Sequence, residues 1–317
     1  MMEGLILSHL LEERKTGGDR MLSLDTYLKE RKKIVDEALE RYLPGKDNFS
    51  PTIFESVRYS IFAGGKRLRP VLCMASAEAV GGDIQTVLPV ACAIEMIHTY
   101  SLIHDDLPAM DDDDYRRGQL TNHKVFGEGI AVLAGDALLT EAFHLMSKRD
   151  LPGNVSSDSL VAVINEISKA AGFFGMVGGQ VADLESEGKE VDEKTLHYIH
   201  VHKTEALITV SIRAGAILAG ASEKELQVLS EYGRKIGLAF QIADDILDIE
   251  STREVLGKDI GSDEERKKVT YPALLGLEPS RGKAFELIDG ALSDIQDFDK
   301  KALPLRDIAK FIVERKL

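Results

Sequence analysis

The chain has 317 residues, 44% of them hydrophobic, and a formal net charge of −14. That acidity argues against non-specific nucleic-acid binding, and the length allows one large domain or two ordinary ones. Two cysteines, Cys73 and Cys92, lie in apolar runs and fit a reduced, cytoplasmic protein, and no apolar run reaches the roughly 18 residues of a membrane span, so no stable membrane association is expected.

Residues 1–21, with neither a basic leader nor a cleavage site, read as a disordered extension or cloning remnant before a domain spanning 22–317. Leu24, Leu28, Val35, Leu39 and Tyr42 recur at helical spacing, and Pro44-Gly45 ends that helix. Ser50-Pro51 predicts a capped start for the next one. Gly81-Gly82-Asp83 separates two further helices, the second running to about Asp106. Gly127 to Gly129 precede "IAVLAGDALLTEAFHLM", and Ser222 with Glu225 has capping-box spacing before a helix reaching about Ile249. Pro279 and Pro304 lie near later helix starts. No alternating strand pattern, internal repeat or dividing linker occurs. The pattern predicts one all-α domain of ten or more helices.

Two aspartate clusters close apolar helices. In "HDDLPAMDDDDYRRG", Asp105, Asp106 and Asp111 form DDxxxxD. On an ideal helix Asp105 and Asp111 would stand about 120° apart, but Pro108 breaks the helix and lets the loop fold Asp111 back. In "FQIADDILDIE", Asp244 and Asp248 lie one turn apart with Asp245 beside them. Carboxylates bordering apolar segments are costly unless paired or bound to a cation, and all-oxygen sets suit Mg²⁺. A solvated acidic face explains one such cluster as readily, but two of them point to metal. "GGKRLRP" offers Lys66, Arg67 and Arg69 after a glycine pair, and Arg116-Arg117 follow the first cluster. Arginine binds phosphate oxygens bidentately. Lys203-Thr204 and Lys258 are individually weak signals. His98 alone reads more readily as a packed or capped histidine than as a ligand, and His197, His200 and His202 read as structural.

Together, Lys66/Arg69, His98, DDxxxxD with its RRG tail, Lys203-Thr204, Gln241 before DDxxD, and Lys258 resemble the trans-isoprenyl diphosphate synthases, nearest to the bacterial farnesyl diphosphate synthases. The resemblance implies a helical bundle around a deep apolar cavity, a homodimer, and about three Mg²⁺ per site. It assigns metal binding to Asp105, Asp106, Asp111, Asp244 and Asp248. It assigns isopentenyl diphosphate to Lys66, Arg69, His98 and Arg117, and the allylic diphosphate to Arg116, Lys203, Thr204, Gln241 and Lys258. Asp105, Asp111, Asp244, Lys203 and Lys258 would carry catalysis. Gln180 and Asp183 match a helix lining the site, and Tyr100 with Ser101 would set product length. The implied activity condenses isopentenyl diphosphate with dimethylallyl and geranyl diphosphates to farnesyl diphosphate, with geranylgeranyl or another short-chain product as the alternative. Rival readings are a class I terpene cyclase, a phosphohydrolase using His104-Asp105, and an inactive regulatory or apolar-ligand-binding subunit. The paired Asp clusters and the two basic sets favour the synthase.

Overall fold

A computed structural model describes residues 23–45, 49–148, 152–153, 155–250 and 270–314. The expected extension 1–21 and Lys258 lie outside them. Helix α1 (Leu24–Tyr42) starts where the Ser23 side chain accepts from the Thr26 N–H, and it buries Tyr27, Val35, Ala38 and Leu39. Helix α2 (Pro51–Ile61) has Pro51 in its first turn; Ser50 occupies the N-cap position but makes no side-chain cap bond, contrary to the expected cap. Helices α3 (Leu68–Ala79) and α4 (Ile84–Asp105) flank the glycine pair, and Asp83 caps α4 through the Gln85 N–H.

The RRG tail contains what the sequence pattern missed. Strands β1 (Tyr115–Arg116) and β2 (Gln119–Leu120) form a two-residue hairpin, too short to show alternation. Then follow α5 (Asn122–Phe126), α6 (Glu128–Met146), α7 (Ser157–Ala171), α8 (Met176–Ser186) and α9 (Glu193–His200). Gly129 falls inside α6 rather than before it. A single π-turn, Val201–Glu205, joins α9 to α10 (Ala206–Leu218). Helix α11 (Glu223–Glu250) opens with the expected capping box: the Ser222 N–H donates to Glu225 Oε2 at 2.8 Å and the Glu225 N–H to Ser222 Oγ at 3.3 Å. Helices α12 (Tyr271–Leu275), α13 (Leu277–Asp294) and α14 (Leu303–Glu314) complete the described chain.

Helix α4 is central. From Val87 to Ile97 every residue is buried, because α3, α6 and α10 pack around it. One large core joins these helices, and a smaller one, with Leu196, Leu238, Ile242, Ile246, Tyr271 and Ala284, seats the C-terminal half of α11. The expectation about apolar runs needs correcting. Three helical stretches, Ile84–Asp105, Glu128–Met146 and Ser157–Ser186, are long and apolar enough to cross a membrane by length and composition. In the first of these 78% of the apolar window is buried inside the fold. Its hydropathy reflects a helix surrounded by protein.

Candidate active site

Helix α4 delivers Asp105 as its last residue, with Asp106 at the C-cap. The Asp111 N–H then donates to the Asp105 carbonyl at 2.8 Å, so the loop folds Asp111 back beside Asp105. Asp112 takes φ 47° at this reversal. Asp106 is buried and accepts from Arg116 Nε at 2.5 Å, and Arg116 also reaches Asp113 at 3.3 Å. Burial pushes the Asp106 carboxyl up to about 7, against the pull of Arg116.

His98, Ser101 and Asp105 recur on one face of α4 and border a cavity of about 380 Å³. Arg69, Lys203 and Thr204 also line it, and its apolar walls are Met176, Val177, Val181 and Leu184 from α8 together with Tyr100. Tyr100 is buried, and its ring meets His104 edge-on at 5.6 Å. Both side-chain polar atoms of Gln180 are buried at this wall without a protein partner. A buried amide left so is expensive, and the missing partner points to a polar ligand.

The π-turn carries Lys203 and Thr204. Gly179 lets α8 come close, since a Cβ there would stand 2.3 Å from the Lys203 nitrogen. Lys203 Nζ donates to Asp183 at 2.6 Å. Burial opposes the ammonium charge, but Asp183, Asp105 and Asp111 together hold its pKa above the usual lysine range. Thr204 Oγ1 donates to Gln241 Oε1 at 2.8 Å, tying the cavity to α11. The second cluster sits there: Asp244 is half-buried, while Asp245 and Asp248 are buried. Asp244 does not line the cavity, but its charge acts on Arg69.

The glycine-rich turn before α3 splits its cations. Arg67, at φ 54°, is buried and structural: Nε donates to Asp36 at 2.8 Å and Nη1 to Glu95 at 2.7 Å. Arg69 has a buried Nε without a partner, and burial lowers its pKa to about 10, still charged at neutral pH. Arg117 Nη1 donates to the Gly64 carbonyl at 2.6 Å. Gly65, at φ 103°, leaves room for that guanidinium; a Cβ would stand 2.6 Å from its central carbon. Burial, then Arg69 and Arg117, hold His98 well below the usual histidine range, so it is neutral at pH 7. Lys66 is exposed near the Phe311 ring. Arg116 and Arg117 border a separate small crevice with Asp106 and Thr99, so the predicted cations do not all share one pocket.

The three histidines of the π-turn region face different partners. His202 stacks on Tyr198, His197 meets the Tyr271 hydroxyl at 3.5 Å, and His200 lies near Asp245. Sequence reading missed Glu95, the buried counter-ion of Arg67. Its signal was present: a lone acid within "ACAIEMIHTYSLI" has to be paired. Among the described residues no three His, Cys, Asp or Glu side chains form a ready metal cage. Asp105 lines the cavity with Asp111 folded back beside it, and both are hard oxygen donors. They fit an ion that completes its coordination with phosphate oxygens, as Mg²⁺ does.

A polyprenyl synthetase family model matches residues 50–303. The chain is 52% identical over 295 residues to a geranylgeranyl diphosphate synthase of Cyanophora paradoxa, covering 92% of this chain and 97% of that one. It is 46% identical to a farnesyl diphosphate synthase of Geobacillus stearothermophilus, covering 93% and 98%. A geranyltransferase of Helicobacter pylori, solved with magnesium and isoprenyl diphosphate, superposes with a TM-score of 0.82 at 30% identity, covering 94% and 98%.

Proposed function

The chain belongs to the polyprenyl synthetase family, and from that premise we propose that it makes mainly farnesyl diphosphate from isopentenyl diphosphate and dimethylallyl or geranyl diphosphate. One observation carries the reading. Arg69, His98, Asp105, Lys203, Thr204 and the unpartnered Gln180 line one cavity together with an apolar wall of Met176, Val177, Val181 and Leu184.

In this reading Lys203, Thr204, Gln241 and Arg116 orient the allylic diphosphate, with Lys258 as a further cation. Lys66, Arg69, His98 and Arg117 hold isopentenyl diphosphate. Asp105, Asp111 and Asp244 would hold Mg²⁺, about three ions per site, with Asp106 and Asp248 as further carboxylates; when bound, the metal offsets charge on the diphosphate oxygens. The allylic carbon–oxygen bond breaks and its electron pair leaves with diphosphate. Lys203, kept charged by its carboxylate neighbours, stabilises the charge developing on that leaving group. The isopentenyl double bond forms the new carbon–carbon bond, and a proton passes from the adjacent carbon to the departing diphosphate. Met176, Val177, Val181 and Leu184 keep water from the cation. Tyr100 supplies the cavity floor and limits the chain to fifteen carbons.

Support for a homodimer comes from the exposed Val132 and Leu133 on α6 and Val161 on α7, apolar surface that a second copy would cover; sedimentation at micromolar concentration checks it. Cys73 and Cys92, buried as free thiols, suit the reducing cytoplasm. The decisive experiment incubates the protein with isopentenyl and dimethylallyl diphosphates and Mg²⁺, then separates the products by chromatography. A fifteen-carbon diphosphate is expected. A twenty-carbon main product overturns the assigned length, and no condensation product overturns the activity.

A further inference from the structure

The aspartates of the second cluster do not have equal surroundings. Asp244 is half-buried, but Asp245, one residue and about 100° further round α11, points into the protein and is buried. Both of its oxygens are engaged. Oδ2 accepts from the Tyr271 main-chain N–H at 3.0 Å, and Oδ1 accepts from Gln241 Nε2 at 2.9 Å. Gln241 Oε1 in turn accepts from Thr204 Oγ1 at 2.8 Å, and Thr204 lines the cavity. Tyr271 is itself seated firmly: it is fully buried and its ring meets His200 edge-on at 5.1 Å.

The chemistry of the two ends fixes the direction of this chain. A main-chain N–H can only donate, and an ionised carboxylate can only accept. Gln241 must therefore turn its nitrogen toward Asp245 and its oxygen toward Thr204. Thr204 must then spend its proton on Gln241. We propose that Asp245 is a positioning residue that, held by the Tyr271 N–H, sets the amide orientation of Gln241 and the hydroxyl orientation of Thr204. The inference rests on the reading that Thr204 and Gln241 face the allylic diphosphate. It separates Asp245 from its neighbours Asp244 and Asp248, which are left to the metal.

The test uses the full chain and a non-ionisable geranyl thiolodiphosphate, whose dissociation constant is measured by calorimetry at pH 8. In D245N the amide oxygen can still serve the Tyr271 N–H, but the amide nitrogen now meets the Gln241 nitrogen. Gln241 must turn over, and Thr204 loses its acceptor. The dissociation constant should rise about tenfold, the scale of one lost hydrogen bond to a charged group. The Michaelis constant for isopentenyl diphosphate and the Mg²⁺ concentration for half-maximal rate should not change. The sign reverses in a second background. Q241E places two carboxylates together, and adding D245N then restores a donor facing an acceptor while leaving Thr204 an acceptor. D245N should therefore weaken binding in the wild-type background and strengthen it in Q241E. That pair decides the matter even where D245N alone melts early. Equal weakening in both backgrounds, or a raised Mg²⁺ requirement in D245N, overturns the proposal. A wild type that condenses nothing overturns the activity instead, while the calorimetric comparison still judges Asp245.

Discussion

The two aspartate clusters face related chemical tasks from opposite structural situations. The first hangs from the end of α4, a helix buried on all sides, and completes itself through a loop: the Asp111 N–H returns to the Asp105 carbonyl. The second lies within continuous helix on α11, over the small core around Ile242, Ile246 and Tyr271. At the first, the inward-facing carboxylate, Asp106, is balanced by the Arg116 guanidinium. At the second, Asp245 accepts hydrogen bonds from a main-chain N–H and an amide. A helix end obtains its geometry from a loop and a charge pair, whereas a helix middle obtains it from periodicity and a hydrogen-bond chain.

The largest expected effect tests whether the two situations serve one reaction. D105A and D244A should each lower kcat by roughly a thousandfold or more, with circular dichroism unchanged, because each removes a group acting on the leaving diphosphate. Near wild-type turnover in either at saturating Mg²⁺ would leave only one cluster functional. Next in size is the division between substrates. R117A should raise the Michaelis constant for isopentenyl diphosphate by roughly ten- to a hundredfold, and K258A that for the allylic substrate by a similar factor. Equal effects of each on both substrates would erase the boundary.

The supports should then differ. D106A removes a buried partner of Arg116, itself a quarter exposed, and should cost roughly 1–3 kcal/mol by denaturant unfolding. An isosteric change at Asp245 should cost less, since the Tyr271 N–H and the Gln241 amide that bond to it are both uncharged. Comparable losses at both would mean that the second cluster also rests on charge. The mildest effect concerns rate least and product most. Y100A should keep activity within several-fold and lengthen the product to twenty carbons or more, as the vacated ring admits one or two isoprene units of about five carbons each. A fifteen-carbon product from the alanine variant would place the floor elsewhere.

Much of this was legible in the sequence. Helical spacing marked α1, the Gly81-Gly82-Asp83 break marked the start of α4, the Ser222–Glu225 capping box marked α11, and Pro108 in the first cluster foretold a broken helix with Asp111 folded back. What stayed hidden is what sequence spacing does not encode. The hairpin at Tyr115–Leu120 is too short to alternate. Arg67 and Arg69 are the same residue two positions apart, and although the resemblance singled out Arg69, the structural role of Arg67, at φ 54° beside Asp36 and Glu95, came only from the backbone. The inward turn of Asp245 depends on Tyr271, which lies 26 positions away.

The π-turn at Val201–Glu205 carries a last consequence, about chain length rather than residue identity. A π-turn holds one residue more than an α-helix would use over the same rise. Deleting a residue between His200 and Lys203 would let α9 run straight into α10 as ordinary helix; the two helices would keep their register, and the bulge that presents Lys203 and Thr204 would be lost. Lys203 would leave Asp183, and Thr204 would leave Gln241, though every one of those side chains was still encoded. A one-codon gap here is therefore expected to cost the Lys203–Asp183 and Thr204–Gln241 contacts together, where a single substitution would remove only one.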